Sequence, residues 1–273
     1  MSELFLREDL ATHFGGLDVL EIADRLQGEV YRQVARRRTV RMEIGGRAYF
    51  AKVHEGVGWG EIFKNWMVLK PAVIGAENEY LACLHLEAAG VRAPTVAGYG
   101  SSDGGAAQRT SWVICDELAG HLSLEDLVAD WEARAPTSCQ VHALVEGVAS
   151  FVRNLHGAGV VHRDLYICHL LIDQAAWREG EVKLAVLDLH RAQIHDRIPR
   201  EWLLRDLAAL LFSTLDLGLS RYAWLRFVRR YRGRDLHDVF DEEGKFWRLV
   251  HARAQQLYRK GESKGLVSGA FRQ

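Results

Sequence analysis

The sequence predicts an α+β chain of two lobes, a β-rich one followed by a mainly helical one. Two observations carry this. Up to residue 117, short alternating apolar runs bounded by turn residues dominate, with one or two helices among them. From residue 137 to about 156, and again from Pro199 onward, the apolar residues recur at helical spacing. No repeat, low-complexity tract or long linker interrupts either half, so the division is placed near 118–122, with residues 1–118 as the first lobe and 119–273 as the second.

Taken in order, residues 17–26 read as a short helix, and 29–35 and 38–44 as strands. Gly45-Gly46 marks a tight hairpin into a third strand at 47–54. Residues 59–69 and 75–89 read as helices, the second closed by Gly90 as a C-terminal cap. Strands follow near 95–99 and 111–117. Thr137 and Gln140 form a capping box, after which Leu144, Val148, Val152 and Leu155 trace the buried face of a helix ending about His156. His169–Ile172 and Lys183–Asp188 read as buried strands flanking a hairpin, and 200–217, 220–232 and 241–260 as helices.

Composition narrows the function. Of 273 residues, 48% are hydrophobic and 26% charged, enough to bury a sizeable core. The formal net charge of −1 argues against bulk nucleic acid as a partner. The four cysteines, Cys83, Cys115, Cys139 and Cys168, show no CxxC spacing and read as buried free thiols of a reducing compartment. No histidine pairs with a cysteine at zinc-ligand spacing. The N-terminus lacks the basic start and apolar run of a signal peptide, and no apolar stretch is long enough to span a membrane, so the expected location is cytoplasmic.

Four pieces suggest chemistry together. Lys52 sits in the middle of an apolar strand, Tyr49-Phe50-Ala51-Lys52-Val53, where a lysine is seldom buried unless paired. Glu79 lies on the following helix, and helical spacing sets it with Cys83 and Leu86 on the more apolar face, making it a better partner than Glu77. Val161-His162-Arg163-Asp164-Leu165 follows a buried helix and precedes an apolar strand. Asp188 ends another apolar strand, where an acid must be paired, hydrogen-bonded or bound to metal. Each alone has an ordinary structural explanation. In this order they suit phosphoryl transfer, whose transition state demands positioning and charge neutralisation. Lys52 would clamp phosphates, Glu79 would hold Lys52, Asp164 would take the proton of an acceptor hydroxyl, and Asp188 would hold Mg²⁺.

These residues resemble the protein-kinase signature set. More narrowly, the wording is similar to the lipopolysaccharide core heptose(I) kinase family. The matching stretches are Gly28–Arg32, Arg37–Thr39, Tyr49–Lys52, Gly58–Ile62, Gly75–Tyr80, His162–His169 and Asp188–Gln193, within residues 20–230. The resemblance implies a bilobal protein-kinase-like fold, ATP and Mg²⁺ as cofactors, and a lipopolysaccharide core glycolipid as acceptor. The reaction would phosphorylate a heptose hydroxyl at the cytoplasmic face of the inner membrane. Lys52, Glu79 and Gly28 would bind ATP, Asp164 would be catalytic, and Asp188 the metal ligand. His169 stands where protein kinases carry a second metal-binding Asn, and is either a further ligand or a hydrogen-bond donor.

Departures from protein kinases matter. There is no GxGxxG, so the expected phosphate-covering turn is Gln27–Tyr31, with Gly28 its one glycine. Asp188-Leu189-His190 replaces DFG, and no APE follows. These gaps favour a small-molecule or glycan acceptor over a peptide. The rivals are an aminoglycoside-type or Ser/Thr/Tyr protein kinase, and a non-catalytic pseudokinase scaffold. Two basic clusters, Arg36–Arg41 and Arg226–Arg234, read either as solvated faces or as attraction to anionic lipid or substrate phosphate. The apolar stretch Trp59–Ile74 reads either as packing on the first lobe or as a surface for a lipid or acyl group.

Overall fold

Gly45 and Gly46 both adopt positive φ, +59° and +77°, the backbone that a two-residue turn between right-twisted strands demands. Around this turn the computed structural model, which describes residues 2–34, 37–55, 75–105, 108–129, 131 and 135–263, builds its first unit. The expected helix at 59–69, the Trp59–Ile74 stretch and Arg36 lie outside the described residues. By internal contacts the chain divides into one unit of residues 1–88, 93–119 and 188–192, and a second of residues 89–92, 120–187 and 193–273.

The first unit contains a six-stranded antiparallel sheet. Its strands are β1 (Glu3–Leu6), β2 (Glu29–Val34), β3 (Arg37–Ile44), β4 (Arg47–Glu55), β5 (Val96–Ser101) and β6 (Thr110–Asp116), in the order β1-β5-β6-β4-β3-β2. Side chains alternate across a strand, so Tyr49, Ala51 and Val53 of β4 point one way and Lys52 and His54 the other. The first set joins Val40, Trp112 and Ile114 in a core closed by two short helices, α1 (Glu8–Phe14) and α2 (Val19–Arg25). Two buried polar groups on that side are satisfied: Trp112 Nε1 donates to the Val19 carbonyl at 2.9 Å, and the Tyr49 hydroxyl donates to Asp9 at 2.7 Å. The helix α3 (Glu77–Ala88) buries Glu79, Cys83 and Leu86 and packs against the 189–191 turn.

The second unit is mainly helical: α4 (Leu124–Ala129), α5 (Ser138–Gly157), α6 (Gln174–Arg178), α7 (Arg200–Phe212), α8 (Arg221–Arg232) and α9 (Leu236–Glu262). The capping box of Thr137 and Gln140 opens α5, which buries Leu144, Val148, Val152 and Leu155. A small antiparallel sheet orders β10 (Leu184–Val186), β9 (Leu170–Asp173) and β7 (His121–Ser123). A two-residue pair joins β8 (Val160–Val161) to β11 (Gln193–Ile194).

Several local expectations change. The connection from β9 is not a bare hairpin, because Asp173 accepts from the N–H groups of Ala175 and Ala176 and starts α6. The helix read over 200–217 stops at Phe212. Ser213 and Thr214 bond back to the carbonyls of Leu210 and Leu211, and a 3₁₀ turn follows at Leu215–Leu217. None of the four cysteines forms a disulfide among the described residues; Cys83 and Cys115 are buried as expected, but Cys139 is exposed on the first turn of α5 and Cys168 is only half-buried.

Candidate active site

The pleat that buries Tyr49, Ala51 and Val53 turns Lys52 to the opposite face of the sheet. There its Nζ lies 2.6 Å from Glu79 Oε1 and 3.0 Å from Asp188 Oδ1. Glu79 is only 3% exposed, whereas Glu77, two residues earlier on α3, faces solvent. Asp188 follows β10 with φ +60° and ψ +50°, a left-handed conformation that costs an L-residue energy and clusters at functional sites. His190 Nδ1 donates to the same Asp188 oxygen at 2.7 Å. Burial by itself would lower the Lys52 pKa, but Glu79 and Asp188 outweigh it and hold the ammonium above its usual range. Burial would raise the Asp188 carboxyl, but the His190 hydrogen bond and the Lys52 charge bring it well below the usual range.

Beside this trio lies a cavity of about 90 Å³ lined by Arg32, Arg37, Thr39, Lys52, His54 and Asp188, among others. His54 is buried, and its Nδ1 has no hydrogen-bond partner among the described residues. Burial first, then the charges of Arg37 and Lys52, push its pKa down to about 3, so the ring is neutral at pH 7.

Gly28 lies at a bend immediately before β2 (Glu29–Val34), the strand expected over 29–35. A Cβ there would fall 2.2 Å from the Arg41 carbonyl oxygen, so close backbone approach explains the glycine.

On the second unit, Asp164 lies in a loop held by backbone bonds. Arg163, with φ +71°, makes the bend. Asp206 of α7, 1% exposed, accepts from the backbone N–H of His162 at 2.7 Å and of Arg163 at 2.8 Å. His162 Nε2 donates to the Leu187 carbonyl at 2.7 Å, and its Nδ1 accepts from the Asp164 N–H at 3.3 Å. His169 Nδ1 donates to the Asp164 carbonyl at 2.7 Å, and its ring stacks on His162 at 5.4 Å between centroids. Because that acceptor is a carbonyl, Nδ1 must carry the proton.

Sequence reasoning passed over Asp206, although a signal existed: a lone acid within the apolar helical run Leu203–Phe212 must be paired if buried. It also gave His190 no role, and read Arg37 only within a basic cluster that is either a solvated face or attracted to anionic lipid or substrate phosphate.

A strand lysine bonded to a helix glutamate and a left-handed aspartate, with a His-Arg-Asp loop anchored by a buried aspartate, defines a protein-kinase-like phosphotransferase. The chain belongs to the lipopolysaccharide kinase (Kdo/WaaP) family, whose model matches residues 22–231. It is 42% identical over 263 residues to a lipopolysaccharide core heptose(I) kinase WaaP of Pseudomonas aeruginosa strain PAO1, covering 96% of this chain and 98% of that protein. Identity to a protein of the same name from Escherichia coli strain K12 is 37% over 262 residues, covering 96% and 99%. A solved structure of WaaP in complex with acyl carrier protein superposes with a TM-score of 0.80 at 38% identity, covering 94% of this chain and 99% of that one.

Proposed function

We propose that this enzyme transfers the γ-phosphoryl group of ATP to a heptose hydroxyl of the lipopolysaccharide inner core. The observation that carries the reading is the Lys52–Glu79–Asp188 trio in a chain with near full-length similarity to heptose(I) kinases. The Lys52 ammonium neutralises phosphate oxygens, and Glu79 fixes its position. Asp164 takes the acceptor proton as the hydroxyl oxygen bonds to the γ-phosphorus and the bond from phosphorus to the leaving ADP oxygen breaks. Gly28 lets the backbone leading into β2 approach β3 closely beside the nucleotide-binding strands.

Mg²⁺ commonly uses one or two protein carboxylates and completes its shell with substrate phosphates and water. The site fits that habit: among the described residues no three His, Cys, Asp or Glu side chains gather as a cage, and Asp188 offers one ionised carboxylate. Asp188 would hold the ion, which supplies charge neutralisation at the phosphate oxygens when bound. His169 serves the loop carrying Asp164 through its Nδ1 bond rather than the metal, since imidazole nitrogen suits softer ions.

The acceptor is a membrane lipid, so we place the enzyme in the cytoplasm, in peripheral contact with the inner membrane. Among the described residues no helix is long and apolar enough to cross a membrane. Of the basic cluster on and after α8, Arg226, Arg232 and Arg234 pair with Glu146, Glu243 and Glu242. Arg229 is exposed without an ion pair among the described residues and is the better lipid-headgroup contact. The acyl-carrier complex of the related structure also suggests an acyl chain as a ligand here. An apolar cavity of about 260 Å³ in the helical unit, lined by Leu124, Val128, Leu144, Val148, Leu210 and Trp224, suits one better than any polar ligand.

The test is ATP turnover with purified core oligosaccharide, an aminoglycoside and a generic peptide as acceptors, and the product mapped by NMR. Phosphate on a heptose only, with turnover lowered about 10²–10⁴-fold and ATP affinity kept in Asp164→Asn, is the expected result. Transfer to peptide or aminoglycoside instead, or no turnover at all, would refute it.

A further inference from the structure

We propose that Arg32 and Arg37 bind the β- and γ-phosphates of the nucleotide, supplying with side-chain charge what a glycine-rich loop supplies with backbone N–H groups. This rests on the kinase reading above.

The sheet register places them. Directly paired residues on neighbouring antiparallel strands point to the same face, as do residues two apart along one strand. Arg32 pairs with Thr39, and Thr39 pairs with Lys52, so these three form one row across β2, β3 and β4. Arg37 pairs with His54, forming the next row on the same face. All five line the cavity that also contains Asp188.

Their availability sets them apart from neighbouring arginines. Arg38 is bonded to the Ala23 carbonyl and to Glu55, and Arg41 forms a two-pronged pair with Glu117. Arg32 and Arg37 have no carboxylate partner among the described residues, although both border a cavity holding an ionised aspartate. Charge balance points the same way. Lys52, Glu79 and Asp188 together carry one net negative charge, a poor receptacle for a triphosphate; the two arginines turn that into one net positive charge. The sequence from Glu29 to Ile44 contains no glycine, so this hairpin has none of the permissive residues that let successive N–H groups converge on phosphate. A guanidinium presents a planar fork that matches phosphate oxygens, and the Thr39 hydroxyl adds a donor in the row of Arg32 and Lys52.

The experiment is calorimetric titration of the full chain with Mg²⁺-ATP and with AMP, for the parent, Arg32→Ala, Arg37→Ala and Arg37→Lys, with Arg178→Ala as an exposed control on the other unit. Thermal melts establish folding, and Arg37→Lys guards against a packing defect. Loss of a charge-assisted hydrogen bond predicts an ATP Kd about tenfold or more higher in each alanine variant, a smaller rise in Arg37→Lys, and AMP binding within twofold of the parent. Unchanged ATP affinity in both alanine variants, with the parent binding ATP, overturns the assignment and leaves the kinase reading standing. A raised KM for the glycolipid acceptor with ATP affinity intact overturns it too, because the anion would then belong to the acceptor. Absence of ATP binding in the parent itself overturns both readings.

Discussion

Replacing Lys52 by Met removes the ammonium that neutralises Glu79 while keeping most of the side-chain volume. Glu79 is 3% exposed, its Oε1 bonds Lys52 at 2.6 Å, and its Oε2 has no partner among the described residues. The substitution therefore strands a buried carboxylate, a change that costs about 3–5 kcal/mol. For a protein of this size each kcal/mol moves the melting temperature by about 2–4 °C, so Lys52→Met should melt roughly 6–20 °C below the parent. Asp188 is less affected, because His190 still donates to it. Glu79→Leu alone leaves Lys52 with Asp188 at 3.0 Å and should cost less than Lys52→Met. The double variant Lys52→Met/Glu79→Leu replaces the pair by apolar groups and should recover most of the loss. Thermal and urea melts of all four proteins at pH 7.5 read the cycle. If Lys52→Met melts within a degree of the parent, or the double variant is no better than the single, the pair is not the buried, mutually dependent unit described above.

The remaining predictions concern His54 and Asp206. His54 titrates near 3 in the folded chain against about 6.5 unfolded, so below pH 6.5 the unfolded state takes a proton that the folded state refuses. Stability is full above pH 6.5 and falls towards pH 3. Between pH 7.5 and 5.5 this one group should remove about 1.4 kcal/mol, and His54→Phe should flatten that part of a urea-measured pH profile. An unchanged profile would mean that His54 titrates alike in the folded and unfolded chain. Asp206→Asn keeps the shape but leaves one oxygen to serve two N–H groups, so kcat should fall at least tenfold, with ATP Kd within twofold because Lys52 and Asp188 lie on the other unit. Equal losses in kcat and ATP affinity would contradict its assignment as an anchor of the Asp164 loop alone.

The strands around Gly45-Gly46 and the α5 helix were legible because strong local signals agree with burial: a two-glycine turn, a capping box and a clean helical apolar face. The face of α3 was legible for the same reason, as Glu79, Cys83 and Leu86 recur at helical spacing and are buried together. Less visible were features set by distant partners. β1 is four residues long and exists by pairing with β5, nearly a hundred residues away. Gly28 suggested a turn in sequence, but its absent side chain serves the Arg41 carbonyl across the sheet. Arg37 belonged to a basic cluster whose solvated and phosphate-attracting readings were both open, and Arg32 stood out only in the family stretch; strand register sets both on the Lys52 face, while Arg38, which also borders the cavity, is occupied by Glu55 and the Ala23 carbonyl.

Residues 188–192 fold with the sheet-bearing unit although the chain on both sides of them belongs to the helical one. Lys52 precedes Asp188 by 136 residues. At about 5–20 residues per second of synthesis, roughly 7–27 s separate their appearance. During that interval the nascent sheet can pair Lys52 with Glu79 but not with Asp188, so the last element of the first unit arrives only after nearly half of the second has been made. Maturation of the sheet-bearing unit is thereby tied to synthesis of residues 120–187 of the other unit, and a chain truncated at residue 119 carries the lysine without its aspartate.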